Sequence, residues 1–224
     1  IRQNSPELKG VIAEFSKGHK AGTLTGNVII NRYLKSAKYI NNAASGAERK
    51  KFEKTIDFFK AYGDKYDFDY LMLAALAYQE STLDQSLRSA VGAVGVMQIL
   101  PTTAKDKNVG ISDVEKLEPN IHAGTKYLRF MADRYFPPEA DLDTLNRALL
   151  TFASYNAGPN RVTKLRKEAE SMGLDPNQWF DNVEVVAAKR IGRETVQYVS
   201  NIMKYYVAYK LLDEKFHQEG AKKQ

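Results

Sequence analysis

The amino-acid sequence predicts an all-α fold, on three observations. Apolar residues recur at helical spacing along most of the chain, stretches that alternate with period two are few, and clusters of β-branched residues are scarce. With 224 residues, 43% of them hydrophobic, the chain can bury one good core and carry an appended segment.

The elements follow in order. Ser5-Pro6 opens a predicted helix that runs to about Lys17, and the stretch G-T-L-T-G-N-V-I-I-N-R-Y-L begins a second. Two short helices cannot enclose a core, so this segment is expected to pack on something else. The small polar stretch N-N-A-A-S-G at residues 41–46 marks a boundary. Charge marks the same place: residues 1–46 carry seven Lys/Arg against Glu7 and Glu14, while the remaining 26 basic and 25 acidic side chains nearly cancel. Beyond it, Phe52, Ile56, Phe59 and Tyr62 or Gly63 follow the spacing of a buried stripe. Asp69 caps the next helix. Further helices are predicted over residues 120–135, 142–156, 160–172 and 192–216, the last with Val199, Ile202, Met203 and Tyr206 as its apolar stripe. The expected organisation is a helical N-terminal segment over 1–46, a catalytic domain over 47–217 and a tail over 218–224.

Several function classes are excluded at this level. The longest apolar run, residues 70–78, is far short of the roughly 20 residues of a membrane span, so no transmembrane segment is expected. The first residues, I-R-Q-N-S-P-E-L, lack the apolar core of a secretory signal, and a start at Ile1 reads as a mature or truncated product. Zero Cys removes disulfides, thiol nucleophiles and thiolate metal sites. The net charge of +6 resides mainly in residues 1–46, and a nearly neutral body is a poor binder of nucleic acid, whose affinity rests on phosphate neutralisation. His19, His122 and His217 are far apart and show no H-E-x-x-H spacing. No metal and no cofactor are expected.

The stretch L-M-L-A-A-L-A-Y-Q-E-S places an ionisable Glu80 at the end of an apolar run. On a helix beginning near Asp69, Leu73, Leu76, Ala77 and Glu80 stand at i, i+3, i+4 and i+7, in line with an apolar stripe. Desolvation and the negative end of the helix dipole both disfavour the carboxylate, so an inward Glu80 has a raised pKa and suits general acid catalysis. Periodicity leaves a second reading open, an exposed Glu that ends the helix. The following loop, S-A-V-G-A-V-G-V-M-Q, carries Ser89, two glycines that permit positive φ, and Gln98 after Met97 in what reads as a short buried helical turn ended before Pro101. Further on, A-S-Y-N-A-G-P joins Tyr155 and Asn156 to helix punctuation.

Four motifs, Gln79-Glu80-Ser81, residues 89–98, residues 154–158 (S-Y-N-A-G) and residues 194–199 (E-T-V-Q-Y-V), resemble in order those of the soluble-type lytic transglycosylase domain, a goose-lysozyme-like helical fold. The resemblance covers about residues 47–215. It implies Glu80 as catalytic acid/base, Ser89 and Gln98 as sugar-binding residues, and Tyr155 and Tyr198 as tyrosines lining the cleft, with Asn156 in the third motif. Met97 is expected to floor the cleft as a core residue, and Glu194 reads as a cleft residue, a structural ion pair or a helix N-terminal charge. The implied partner is the glycan strand of peptidoglycan, the implied location the periplasm with outer-membrane association. Residues 1–46 resemble the end of a solute-binding-like domain, implying an upstream regulatory domain. Two alternatives remain: a lysozyme-type hydrolase in which Asp84 or Glu194 positions water, and a non-catalytic wall-binding module.

Overall fold

The computed structural model describes residues 10–14, 17, 46–138 and 141–221, with side chains up to residue 213. The chain divides into two compact units, residues 1–44 and 45–224. In the first, residues 10–14 are helical; the helix predicted from residue 22 onward lies outside the described residues.

In the second unit, helix α1, Gly46–Tyr66, turns through residues 67–69 into α2, Tyr70–Ser81. Asp69 caps α2 as its sequence position predicts, its Oδ1 accepting from the Leu71 N–H at 2.8 Å. The short α3, Pro101–Lys105, follows an irregular loop and leads to α4, Leu117–Tyr135. Helix α5, Thr144–Ala157, is capped by Asp143 and ends at Gly158, from which Pro159 starts α6, Pro159–Ser171. A kinked π-type turn, Trp179–Val183, leads into α7, Glu184–Arg190, and the long α8, Glu194–Ala221, closes the fold. The structure has no strands among the described residues, only isolated bridges pairing Arg88 with Val94 and Val94 with Ile99.

Helix α2 is the axis of the core, flanked by α1 and α8. Residues 71–78 are buried on every side rather than along the single stripe that Leu73, Leu76 and Ala77 suggest. Burying each of its three leucines contributes about 2 kcal/mol. The other predicted stripes shift in detail. In α1 the fully buried positions are Thr55, Phe59 and Gly63, while Phe52 reaches across to stack on Tyr209 with ring centroids 4.6 Å apart. In α8, Val199 and Ile202 are buried as predicted, but Met203 and Tyr206 lie half-buried and Tyr198, Tyr205, Ala208 and Tyr209 complete the inner face. Trp179, fully buried, ties the kinked turn to α5 through its backbone N–H, which donates to Asn146 Oδ1 at 2.9 Å. Helices α3 and α7 were not expected from periodicity because neither is longer than two turns.

Candidate active site

Glu80 ends α2, one residue before the helix stops at Ser81 and Thr82 takes a left-handed conformation, φ 53°. Because α2 is enclosed by its neighbours, burial of the Glu80 carboxyl raises its pKa from 4.5 to about 7, and the hydrogen bond from Tyr198 only partly offsets this. The Tyr198 hydroxyl, brought in by α8, donates to Glu80 Oε1 at 2.5 Å. Burial, and then the Glu80 charge, hold the hydroxyls of both Tyr198 and Tyr155 well above the usual tyrosine range. Both therefore remain neutral donors beside the acid across the physiological range.

The loop between α2 and α3 is held by side chains that reach its backbone. Ser81 Oγ donates to Val96 O at 2.8 Å, joining the end of α2 to the loop. Tyr155 Oη donates to Met97 O at 2.7 Å. From α4, the fully buried Asn120 accepts from Met97 N and donates to Val94 O and Val114 O, all within 2.9 Å. Gln85 Oε1 accepts from Val96 N at 3.1 Å. Val96 N, Val96 O, Met97 N and Met97 O gain their partners from these side chains, while Val94 O, paired also with Ile99 N, and Val114 O, beyond α3, each take a second bond. Gly95, at φ 75°, is required here: a Cβ would stand 2.5 Å from Asn120 Nδ2 and 2.6 Å from Gln85 Nε2.

Residues 95–98 are not the helical turn expected from the sequence. Val94 and Ile99 exchange backbone hydrogen bonds at 3.0 and 3.2 Å, so the segment is the tip of a tight hairpin, with Gln98 in the left-handed region at φ 45°. A four-residue tip flanked by a reciprocal backbone pair satisfies more main-chain groups than an isolated helical turn would. Gln98 Nε2 donates to Gly95 O at 2.8 Å within that tip.

The structure brings Glu80, Met97, Tyr155 and Tyr198 together, with Gln98 adjoining Met97. Met97 is fully buried and packs against Gly124, as a core residue. Among the described residues, Ser89, Asn156 and Glu194 make no hydrogen bond to Glu80. Ser89 Oγ accepts from Ala93 N at 2.9 Å and shapes the start of the hairpin. Asn156, exposed, accepts from Thr195 Oγ1 at 2.7 Å, which fixes the start of α8 and through it Tyr198 three residues on. Glu194 is exposed in the first turn of α8. Asp84 Oδ1 is turned onto Ser86, accepting from its N–H at 2.8 Å and its hydroxyl at 2.6 Å, and these bonds hold its carboxyl below the usual range.

Sequence reasoning overlooked Asn120, Gln85 and Thr195. For Asn120 a signal existed: Leu117, Asn120, Ile121 and Gly124 share one helical face, so a lone amide sat on an apolar stripe. Among the described residues no three His, Asp or Glu side chains are grouped as a metal ion requires, and no helix is long and apolar enough to cross a membrane.

Residues 57–177 match the family model described as transglycosylase SLT domain. A membrane-bound lytic murein transglycosylase F from Desulfosudis oleivorans is 35% identical over 156 residues, 64% of this chain and 33% of that protein. The protein of the same name from Shewanella woodyi is 34% identical over 220 residues, 91% of this chain and 44% of its own length. The chain thus spans between a third and a half of these relatives. An X-ray structure of an inactive mutant of lytic transglycosylase Slt from Pseudomonas aeruginosa aligns over 93% of this chain and 29% of that one, with a TM-score of 0.52 at 19% identity, and shares its all-α fold. Fold and family model agree, and the chain belongs to the transglycosylase SLT domain family.

Proposed function

We propose that the chain is a lytic transglycosylase of peptidoglycan, cleaving the β-1,4 bond between N-acetylmuramic acid and N-acetylglucosamine with Glu80 as its single acid/base. The observation that carries this reading is the Glu80 carboxyl, raised to about 7 by burial and bonded to Tyr198. A carboxyl with that pKa is substantially protonated near neutral pH and can also act as a base once ionised.

Protonated Glu80 gives its proton to the glycosidic oxygen as the C1–O bond of the muramic acid breaks. The sugar's own C6 hydroxyl then attacks C1, and its proton passes to the Glu80 carboxylate, which restores the acid. The product is a 1,6-anhydro ring, and water is not consumed. Tethering the nucleophile replaces the second carboxylate of ordinary glycosidases, and well-oriented intramolecular attack contributes on the order of 7–11 kcal/mol. The engagement of Asp84 with Ser86 supports one-carboxylate chemistry over a hydrolase that uses Asp84 to position water. Within this reading Tyr198 is a donor to the acid, Gln98 and Tyr155 orient the sugar, and Ser89 and Asn156 line the approach.

The division of the chain at residues 44 and 45 supports treating residues 1–46 as the end of a solute-binding-like regulatory domain and 47–217 as the catalytic domain, with 218–224 as a tail. The substrate lies outside the bacterial inner membrane, which makes the periplasm the site of action. Digestion of purified sacculi followed by mass analysis tests the reaction. Anhydro-muropeptides are expected, and Glu80→Gln lowers their rate by about 10³-fold. Products carrying the mass of an added water, lost when Asp84 or Glu194 is replaced, would establish the hydrolase instead.

A further inference from the structure

The turn that follows Glu80 is strained, and a side chain from another helix holds it. Thr82 and Leu83 take the left-handed conformation in succession, at φ 53° and 58°. For Thr82, which is β-branched, that conformation is a genuine outlier, and such residues persist only where their surroundings over-determine them. Three contacts do so here. Ser81 Oγ donates to Val96 O, Asp84 N donates back to Ser81 O at 3.2 Å, and Lys51 Nζ, reaching across from α1, donates to Thr82 O at 3.2 Å. The first two belong to α2 and its own loop. The third spans 31 residues of sequence.

Lys51 is itself held in place. Its Nζ donates to Glu48 Oε1 at 3.0 Å, and Glu48 also accepts from the Tyr78 hydroxyl, one turn before Thr82. Beside Lys51, Phe52 stacks on Tyr209 and secures α1 against α8. The first turns of α1 therefore grip the last turn of α2 at a carbonyl and at a hydroxyl. With the Lys51 side chain 37% exposed, its ion pair with Glu48 alone contributes little. The bond to Thr82 O differs in kind, because it satisfies a carbonyl that a helix leaves open at its C-terminus and places a cation at the negative end of the dipole. We propose that Lys51 is a positioning residue for Glu80: by holding Thr82 O it keeps the strained turn closed, and that turn fixes how the end of α2 presents the Glu80 carboxyl. The proposal rests on the reading of Glu80 as the acid. The titratable groups at this end of α2 are Tyr198 from α8, Tyr155 from α5, Glu48 and Lys51 from α1, Tyr78 on α2 itself and Asp84 from the loop. Of these, only Lys51 is a cation.

The test measures turnover of solubilised peptidoglycan strands and, without substrate, the titration of the Glu80 carboxyl. Lys51→Met, which keeps the apolar stem, is expected to lower kcat about tenfold at unchanged KM. It is also expected to move the Glu80 midpoint upward, because the negative end of α2 then lacks its cation. Lys51→Arg can still donate to both oxygens and is expected to stay within about twofold of the parent in kcat. Glycine takes a left-handed turn without being held, so Thr82→Gly added to Lys51→Met is expected to recover most of the lost kcat. A Lys51→Met chain that melts at a lower temperature but keeps its kcat and its Glu80 midpoint would show a merely structural lysine and overturn the proposal. A loss of kcat that Thr82→Gly leaves unrecovered would overturn it too, since the strained turn would then not be what Lys51 holds. Failure of the acid reading looks different: Glu80→Gln would retain full activity, while the titration would still report whether Lys51 acts on Glu80.

Discussion

Helix α2 and the loop that follows it meet at Glu80 and are held by different forces. The helix is secured by burial: residues 71–78 present apolar atoms in all directions, and its backbone is satisfied internally. The loop has little regular structure and is secured by directed bonds from Ser81, Gln85, Asn120 and Tyr155 onto its main chain. The helix therefore sets the electrostatics of the acid, because it removes water. The loop sets position, because hydrogen bonds are directional where apolar contacts are not. The acid/base role proposed for Glu80 needs both, and here each comes from a separate stretch of sequence.

The sharpest way to break this comparison is to disturb the loop without touching the helix. Gly95→Ala places a methyl group on Asn120 and Gln85 at a left-handed backbone position and is expected to cost about 4 kcal/mol in urea unfolding. Gly92→Ala, also at positive φ but with open space where its Cβ would stand, is expected to cost only about 1 kcal/mol. Equal losses would mean that the close approach at Gly95 does not matter. Asn120→Ala comes next. It leaves Met97 N without a partner in a fully buried place, while Val94 O keeps Ile99 N and Val114 O keeps Gln85 Nε2, at about 2 kcal/mol, and a loss below about 1 kcal/mol would show the loop to be held by packing alone.

The helix is probed through pH. The folded chain binds the Glu80 proton more tightly than the unfolded chain, because folding raises the pKa from 4.5 to about 7. Stability contributed by this group is therefore greatest below about 4.5, falls as pH rises toward 7, and is fully lost above it. Gln carries no charge to desolvate. Glu80→Gln is thus expected to match the parent near pH 4 and to be more stable by about 2 kcal/mol at pH 8, allowing for the partial solvent access of the site. A difference independent of pH would remove burial as the cause.

The comparison also explains what the sequence made legible. An apolar run capped by Asp69 and ended by an acid is a local pattern, sufficient to place α2, while periodicity left Glu80 either inward or exposed at its end. The uniform burial of α2 was not legible, because it depends on α1 and α8 arriving from either side, and periodicity describes only the helix on which it is read. The hairpin at residues 94–99 was misread for a related reason. Its geometry is imposed by Asn120, 21 or more residues distant in sequence, so the local run V-G-V-M-Q could not announce it. Ser89, Asn156 and Glu194 were found by their place in motifs, and the structure gives the first two shaping contacts rather than bonds to the acid.

The smallest expected effect concerns Tyr198, whose hydrogen bond lowers the Glu80 pKa against the larger effect of burial. Tyr198→Phe is expected to move the Glu80 titration upward. The most direct measurement is that titration itself, followed by the side-chain carboxyl carbon of Glu80 in the labelled protein. A midpoint at about 7, rising in Tyr198→Phe, is the result expected of an acid kept neutral by its surroundings. A midpoint at 4.5, the ordinary value for the group, would contradict it.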